Sequence, residues 1–314
     1  MKGLELSKAY YNEYGKKMLE EQFSDIVDKI AVGLMGSGSE CYGYDDEISQ
    51  DHDFEPGFCI FLPDESVIDE KTAFQLERAY WKLPKEFKGY KRSIFSPVGG
   101  NRHGVFRAAE YFREKTGSED GRLNLQQWFT TDDYVLAEAT NGEIFRDDSN
   151  LVNDIRKNFM SMPQDVFLKK LAGNLLMMAQ SSQYNYNRLL KRQEYAAAQL
   201  AVYEYVRSAM RVIFLLNRTY MPYYKWSFRA LRSLKKLSVT AEIFEYLITS
   251  GNEETVSDNK RGMIETVNSL IVEELLNQKL LDQEEGDLEK IAYKVNEKIE
   301  DNEIRNMDIL VSVH

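Results

Sequence analysis

The chain of 314 residues carries only two cysteines and three histidines. Cys41 and Cys59 flank an acidic stretch and match neither a disulfide framework nor a metal-ligand spacing. Thiol redox chemistry and soft-metal centres are therefore not indicated, and a reducing, cytoplasmic setting is expected. Long hydrophobic runs are also missing: none approaches the length that spans a bilayer, and the opening MKGLELSKAYYNEYGKKM lacks the apolar core of a secretory signal. No membrane partner is expected. Positive charge is scarce as well, with 40 Lys and Arg against 51 Asp and Glu for a net charge of −11. Phosphate backbones call for Lys/Arg surfaces, so a general nucleic-acid binder is disfavoured, while cationic partners are drawn in by the negative field. What the chain does have is 43% hydrophobic residues, enough for a sizeable core.

The texture changes once along the chain. Glycine and proline concentrate before about residue 155, between short apolar runs. KIAVGLM alternates as a strand would, with Ile30, Val32 and Leu34 on one side, and GFCIFLP is the continuous run of a strand buried on both faces. RHGVFRA and GEIFRD read as two more strands, while TAFQLERAYWKL and AAEYFREKTG are helical. From Ser161 onward the pattern is helical throughout. Ser161 and Gln164 stand at capping-box spacing. QEYAAAQLAVYEYVRSAMRVIFLLNRTY is apolar round most of its circumference and predicts a central helix. Pro222 announces another helix. The fold class expected is α+β, with a small mixed-sheet domain over residues 1–155 and an all-helical domain over 156–314.

One stretch asks for an explanation. GSGSECYGYDDEISQDHD, residues 36–53, holds six carboxylates in eighteen residues. If KIAVGLM is a strand, GSGSE is the turn at its end, a one-turn helix or loop follows, and Asp51, His52 and Asp53 open the next strand. Alternation then puts Asp51 and Asp53 on one face and His52 on the other. Two parallel carboxylates beside a glycine-rich turn suit a hard divalent cation, since Mg²⁺ takes oxygen ligands and shares them with substrate phosphates. The turn amides and the Ser39 hydroxyl suit phosphate oxygens. Asp45, Asp46 and Glu47 read as a solvated loop.

Gly38-Ser39, Gly43 and then Asp51-His52-Asp53 resemble the GS…G…DxD signature of the polymerase-β-like nucleotidyltransferases. A sheet-bearing head followed by a helical tail resembles the aminoglycoside- and lincosamide-type branches of that superfamily. More narrowly, GSECYGYDDEISQDHDF, NGEIFRDD, QYNYNR and LLNRTYMPYYKW are similar to an uncharacterised bacterial family of stand-alone nucleotidyltransferase-like proteins, over the chain up to roughly residue 240. The resemblance implies transfer of a nucleoside monophosphate, AMP from ATP or its counterpart from another nucleoside triphosphate, to an acceptor hydroxyl with Mg²⁺ or Mn²⁺. Asp51 and Asp53 would be the catalytic metal ligands, Gly38 and Ser39 would grip the outer phosphates, and Lys225 in PYYKW would add a cation from the helical domain.

The sequence departs from that pattern twice. The strand RHGVFRA lacks the third carboxylate the superfamily carries there, having His103 and Arg107 instead. Glu110, Glu143, Asp147 and Asp148 are the substitutes, with no choice among them. Directly after Asp53 comes Glu55-Pro56-Gly57, where proline suggests a bulge in the strand. Asn185, Arg188 and Arg192 can share one polar helix face. No histidine lies between His103 and His314, which removes an Arg-x4–6-His nuclease motif from the tail. Three readings follow: a nucleotidyltransferase acting on a small hydroxyl compound, the same chemistry on a protein or RNA, and a nucleotide binder without turnover.

Overall fold

The computed structural model describes residues 1–50, 54–92 and 102–313 and divides into two compact units. The first comprises Met1–Gln127 with Val135–Ser161, and the second Trp128–Tyr134 with Met162–His314. The first unit thus runs past residue 155, and a short upstream segment belongs with the helical part.

In the first unit, α1 (Gly3–Tyr10) and α2 (Lys16–Gln22) are joined by a π-helical turn, Tyr11–Gly15. There follow β1 (Ala31–Leu34), β2 (Cys59–Leu62), α3 (Glu70–Trp81), a small hairpin of β3 (Glu86–Phe87) and β4 (Tyr90–Lys91), β5 (Gly104–Arg107) and α4 (Ala108–Thr116). Then come α5 (Leu125–Thr130), α6 (Asp133–Thr140), β6 (Glu143–Asp147) and α7 (Leu151–Met160). The four expected strands are β1, β2, β5 and β6, and they form one sheet in the order β5-β2-β1-β6. β2 runs parallel to β5, and β1 is antiparallel to both β2 and β6, so the sheet is mixed.

Alternation explains how the sheet is covered. Ile30, Val32, Ile60 and Leu62 point to a core shared with Leu6, Tyr10 and Met18 from the N-terminal helices and Leu76 and Tyr80 from α3. At its edge Phe58 meets the rings of Tyr11 and Tyr80 at 5.4 and 5.1 Å between centroids. Phe61 points the other way, 5.1 Å from the ring of Tyr111 on α4. Both central strands are buried on both faces, as the apolar run of β2 predicts.

The second unit is helical: α8 (Gln164–Met178), a π-helical stretch Ala179–Tyr186, α9 (Asn187–Lys191), α10 (Tyr195–Leu216), α11 (Tyr224–Arg232), α12 (Thr240–Thr249), α13 (Glu254–Asn277), α14 (Leu288–Glu297) and α15 (Asn302–Asn306). The expected central helix α10 is buried over its C-terminal half, but α8 is the more enclosed, packing on α10, α14 and α15. The capping box at Ser161 does not form. Ser161 Oγ instead donates back to the Lys157 carbonyl at 2.7 Å and closes α7, while Pro163 takes the N-cap place of α8 without a side-chain cap. No helix among the described residues is long and apolar enough to cross a membrane.

α8 carries two buried lysines. Lys170 pairs with Asp133 at 3.1 Å, an acid supplied by the segment Trp128–Tyr134. Lys169 is fully buried, and burial pulls its pKa below the usual lysine value. Its ammonium donates to Asn296 Oδ1 at 2.9 Å and to the carbonyls of Arg305 and Met307 at 3.1 and 2.7 Å. Those acceptors close the last turns of the chain, and without the lysine Asn296 Oδ1 and the Met307 carbonyl lose their donor, while the Arg305 carbonyl keeps Asn296 Nδ2 at 3.2 Å. Lys169→Met should cost roughly 2–4 kcal/mol of stability, read as a lower midpoint in urea at unchanged slope.

Candidate functional site

The turn after β1 is built as the sequence predicts. β1 ends at Leu34, Gly36 to Gly38 form the turn, and a single turn of 3₁₀ helix follows over Ser39–Tyr42. Gly36 sits at φ +127°, a backbone region that disfavours any residue with a Cβ. The side-chain amide of Asn141, just past α6, holds it from both sides: the Gly36 N–H donates to Asn141 Oδ1 at 2.9 Å, and Asn141 Nδ2 donates to the Gly36 carbonyl at 2.7 Å. Arg156 on α7 donates in turn to the carbonyls of Thr140 and Asn141, the latter at 2.9 Å.

Beside this turn lies a cavity of about 470 Å³. Its walls include Gly36, Ser37, Gly38 and Glu40 from the turn, Arg102, Phe106 from β5, and Tyr111 and Lys115 from α4. Gly38 lines the cavity, and Ser37 does so where Ser39 does not. The Glu40 carboxylate lies against Gly38, where it fills the space a Cβ would need. Lys115 holds its ammonium 5.2 Å from the centre of the Tyr111 ring. The Tyr111 hydroxyl donates to the Met35 carbonyl at 3.2 Å, and burial raises its pKa well above the usual value, so it stays a neutral donor. Burial also keeps the two nearby thiols protonated: Cys41 is raised well above its usual value and Cys59 is pushed up to about 12.

A second cavity of about 490 Å³ shares the walls Phe106, Tyr111 and Glu114 with the first. It is acidic, bordered by Glu70, Glu77 and Glu110 in addition to Glu114, with Phe74 at its rim. Arg107 is spoken for. It donates to the Pro63 and Ile68 carbonyls, both at 2.8 Å, and to Glu70 at 2.6 Å.

Asp51, His52 and Asp53 lie outside the described residues. The strand they were expected to open begins later, at Cys59, and Phe54 to Phe58 form no strand. Side chains take up the backbone there: the Gly57 carbonyl accepts from Ser7 Oγ at 2.6 Å and the Phe58 N–H donates to the Tyr80 hydroxyl at 3.2 Å. Pro56 thus precedes the strand rather than bulging it, where its missing N–H takes nothing from the ladder. Asp45 is not solvated either. It is buried, and its carboxylate accepts the Gly3 N–H at 2.8 Å at the start of α1.

The acids weighed as a third carboxylate divide clearly. Glu143 pairs with Lys8 and Asp148 with Arg146. Asp147 Oδ2 accepts from the amides of Val152 and Asn153 at 3.0 and 2.8 Å and so starts α7. His103 faces Glu55 at 3.4 Å. Of these, Glu110 borders a cavity. Lys225 belongs to the second unit, is exposed, and places its ammonium 4.9 Å over the Trp226 ring. Arg188 likewise covers the Tyr184 ring at 4.0 Å. Among the described residues no group of three or more His, Cys, Asp or Glu could hold a metal ion.

Sequence reasoning missed Arg102, Tyr111, Lys115, Asn141 and Glu138. Glu138, on α6, is partly buried, and burial raises its pKa against the opposing pull of Lys115 and Arg102. Nothing in their local patterns marks these residues, because the sheet order brings them together.

Residues 128–227 match the model of a family described as a domain of unknown function, DUF4037. No curated protein matches the chain. Among solved structures it is similar to a nucleotidyltransferase-like protein from Exiguobacterium sibiricum, at 12% identity over 95% of this chain and 88% of that one, with a TM-score of 0.40.

The raised pKa of Glu138 fixes a sign. The folded state binds this proton more tightly than the unfolded chain, so the group loses stability as pH rises from the ordinary carboxylate value through its folded pKa. Glu138→Gln should therefore raise the melting temperature at neutral pH, and the gain should vanish in acid, where both side chains are uncharged.

Proposed function

We propose that the chain is a Mg²⁺-dependent nucleotidyltransferase that moves AMP from ATP to a hydroxyl of a small molecule. The observation that carries the reading is the cavity at the end of β1, where a glycine turn, Arg102 and Lys115 face one another. The amides of Ser37 and Gly38 have no acceptor among the described residues, and amides in such a turn suit phosphate oxygens. The donor chemistry fits a hard cation. Both thiols are held neutral, so the ligands offered around the turn are oxygens, and Asp51 and Asp53 would hold the ion. Bound there, Mg²⁺ would neutralise phosphate charge during in-line displacement. The protein's own part is to hold the triphosphate against the turn and to align the acceptor.

The acidic second cavity favours a cationic acceptor. Glu77, Glu110 and Phe74 line a cavity that shares Phe106, Tyr111 and Glu114 with the one proposed to hold phosphate. Carboxylates suit a protonated amine. The net charge of −11 acts in the same direction. A second reading, nucleotide binding without turnover, is favoured by the structural engagement of Glu143, Asp147 and Asp148.

The full chain should transfer label from α-labelled ATP with Mg²⁺ into the small-molecule fraction of a cell lysate, and passage of that fraction over a cation exchanger should remove the acceptor. Label in the macromolecular fraction alone would refute the small-molecule acceptor, and label in neither would leave the silent binder. Asp51→Asn and Asp53→Asn should each abolish transfer and Mg²⁺-dependent ATP binding while leaving the apo melting temperature unchanged or raised, as expected of carboxylates that would share a metal ion and repel without it.

A further inference from the structure

In a chain where acids outnumber bases 51 to 40, an ammonium readily finds a carboxylate. Lys8, Lys16, Lys17, Lys170, Lys236, Lys290, Lys294 and Lys298 all do. Lys115 makes no ion pair or hydrogen bond among the described residues, although it is partly buried in a cavity wall. An ammonium carries three donors, and among the described residues none of the three is taken.

Its position is specific. A Cβ on Gly36 would lie 3.9 Å from Lys115 Nζ and 3.3 Å from the Tyr111 hydroxyl. The ammonium is steered there by the Tyr111 ring, which the Met35 carbonyl anchors through its hydroxyl. Glycine keeps that approach open, and Asn141 fixes the glycine. The neighbouring charges are mixed: Arg102 also lines the cavity, Glu40 and Glu114 stand at its rim, and Glu138 lies close enough to feel Lys115.

We infer that Lys115 is the cation that binds the outer phosphates of the nucleotide, so that the cavity at the glycine turn is a site for a pyrophosphate-type anion. This rests on the nucleotidyl-transfer reading for the identity of the nucleotide, but the anion site stands on Lys115, Tyr111 and the turn alone. The ligand gives the ammonium the hydrogen-bond acceptors that it lacks among the described residues. The sequence pointed to Lys225 for this contact, and one titration tells the two lysines apart.

The test is calorimetric titration of the full chain with Mg²⁺ and, separately, inorganic pyrophosphate, ATP and AMP. Lys115→Met should weaken pyrophosphate and ATP by roughly tenfold to a hundredfold, as loss of one charge-assisted phosphate contact does, with much less effect on AMP. Lys115→Arg should recover most of the loss. The melting temperature of Lys115→Met without ligand should be unchanged or higher, which separates lost binding from lost folding. Unaltered ATP and pyrophosphate binding by Lys115→Met, equal weakening of AMP, or the whole effect falling on Lys225→Ala would each overturn the assignment, as would an unsubstituted chain that binds neither anion. Lys115-dependent pyrophosphate binding in a protein that transfers no label would keep the anion site and remove the enzymatic reading.

Discussion

One amide side chain sets the shape of the region around β1. Buried backbone groups must find partners, and at the sharp turn after β1 the strand ladder can no longer supply them. Asn141 replaces the ladder, taking both the N–H and the carbonyl of Gly36. That pairing lets the chain leave the sheet at φ +127°, with the amides of the next two residues meeting no acceptor among the described residues. It also links the turn to β6 and α7, because Asn141 precedes β6 and is braced by Arg156. The cavity wall is therefore held by elements more than a hundred residues apart in sequence, and its geometry depends on the sheet being complete.

What the sequence discloses depends on whether a signal is local. All four sheet strands were legible, since β1, β2, β5 and β6 each carry their own apolar pattern. The turn after β1 was legible too, because glycine and serine there announce it directly. Local patterns misled where a residue had a distant use. Ser161 stands at capping spacing but closes the helix before it, and Asp45 looks solvated yet caps α1 from below. Pro56 and Gly57 looked like an interrupted strand, whereas the ladder starts after them because side chains of α1 and α3 engage the backbone first. Lys115 and Tyr111 sit on an ordinary amphipathic helix whose pattern says nothing of the turn it faces.

The helical unit solves a different problem. α8 is so enclosed that its two lysines cannot reach water, and each is met by a different stratagem. Lys169 is surrounded by neutral acceptors near the end of the chain, whereas Lys170 has a full counter-charge in Asp133. A charge paired that deeply contributes little net stability while intact, yet losing one partner costs about 3–5 kcal/mol.

The origin of Asp133 gives that pair a consequence for how the protein can be divided. The segment Trp128–Tyr134 is counted with the helices although the residues on both sides of it belong to the sheet-bearing unit. A gene fragment starting at Met162 would encode every helix of the tail and still leave Lys170 uncompensated inside α8. A cut at the apparent seam would therefore yield a piece prone to misfold, whereas a cut that keeps Trp128–Tyr134 with the helices leaves the counter-charge in place.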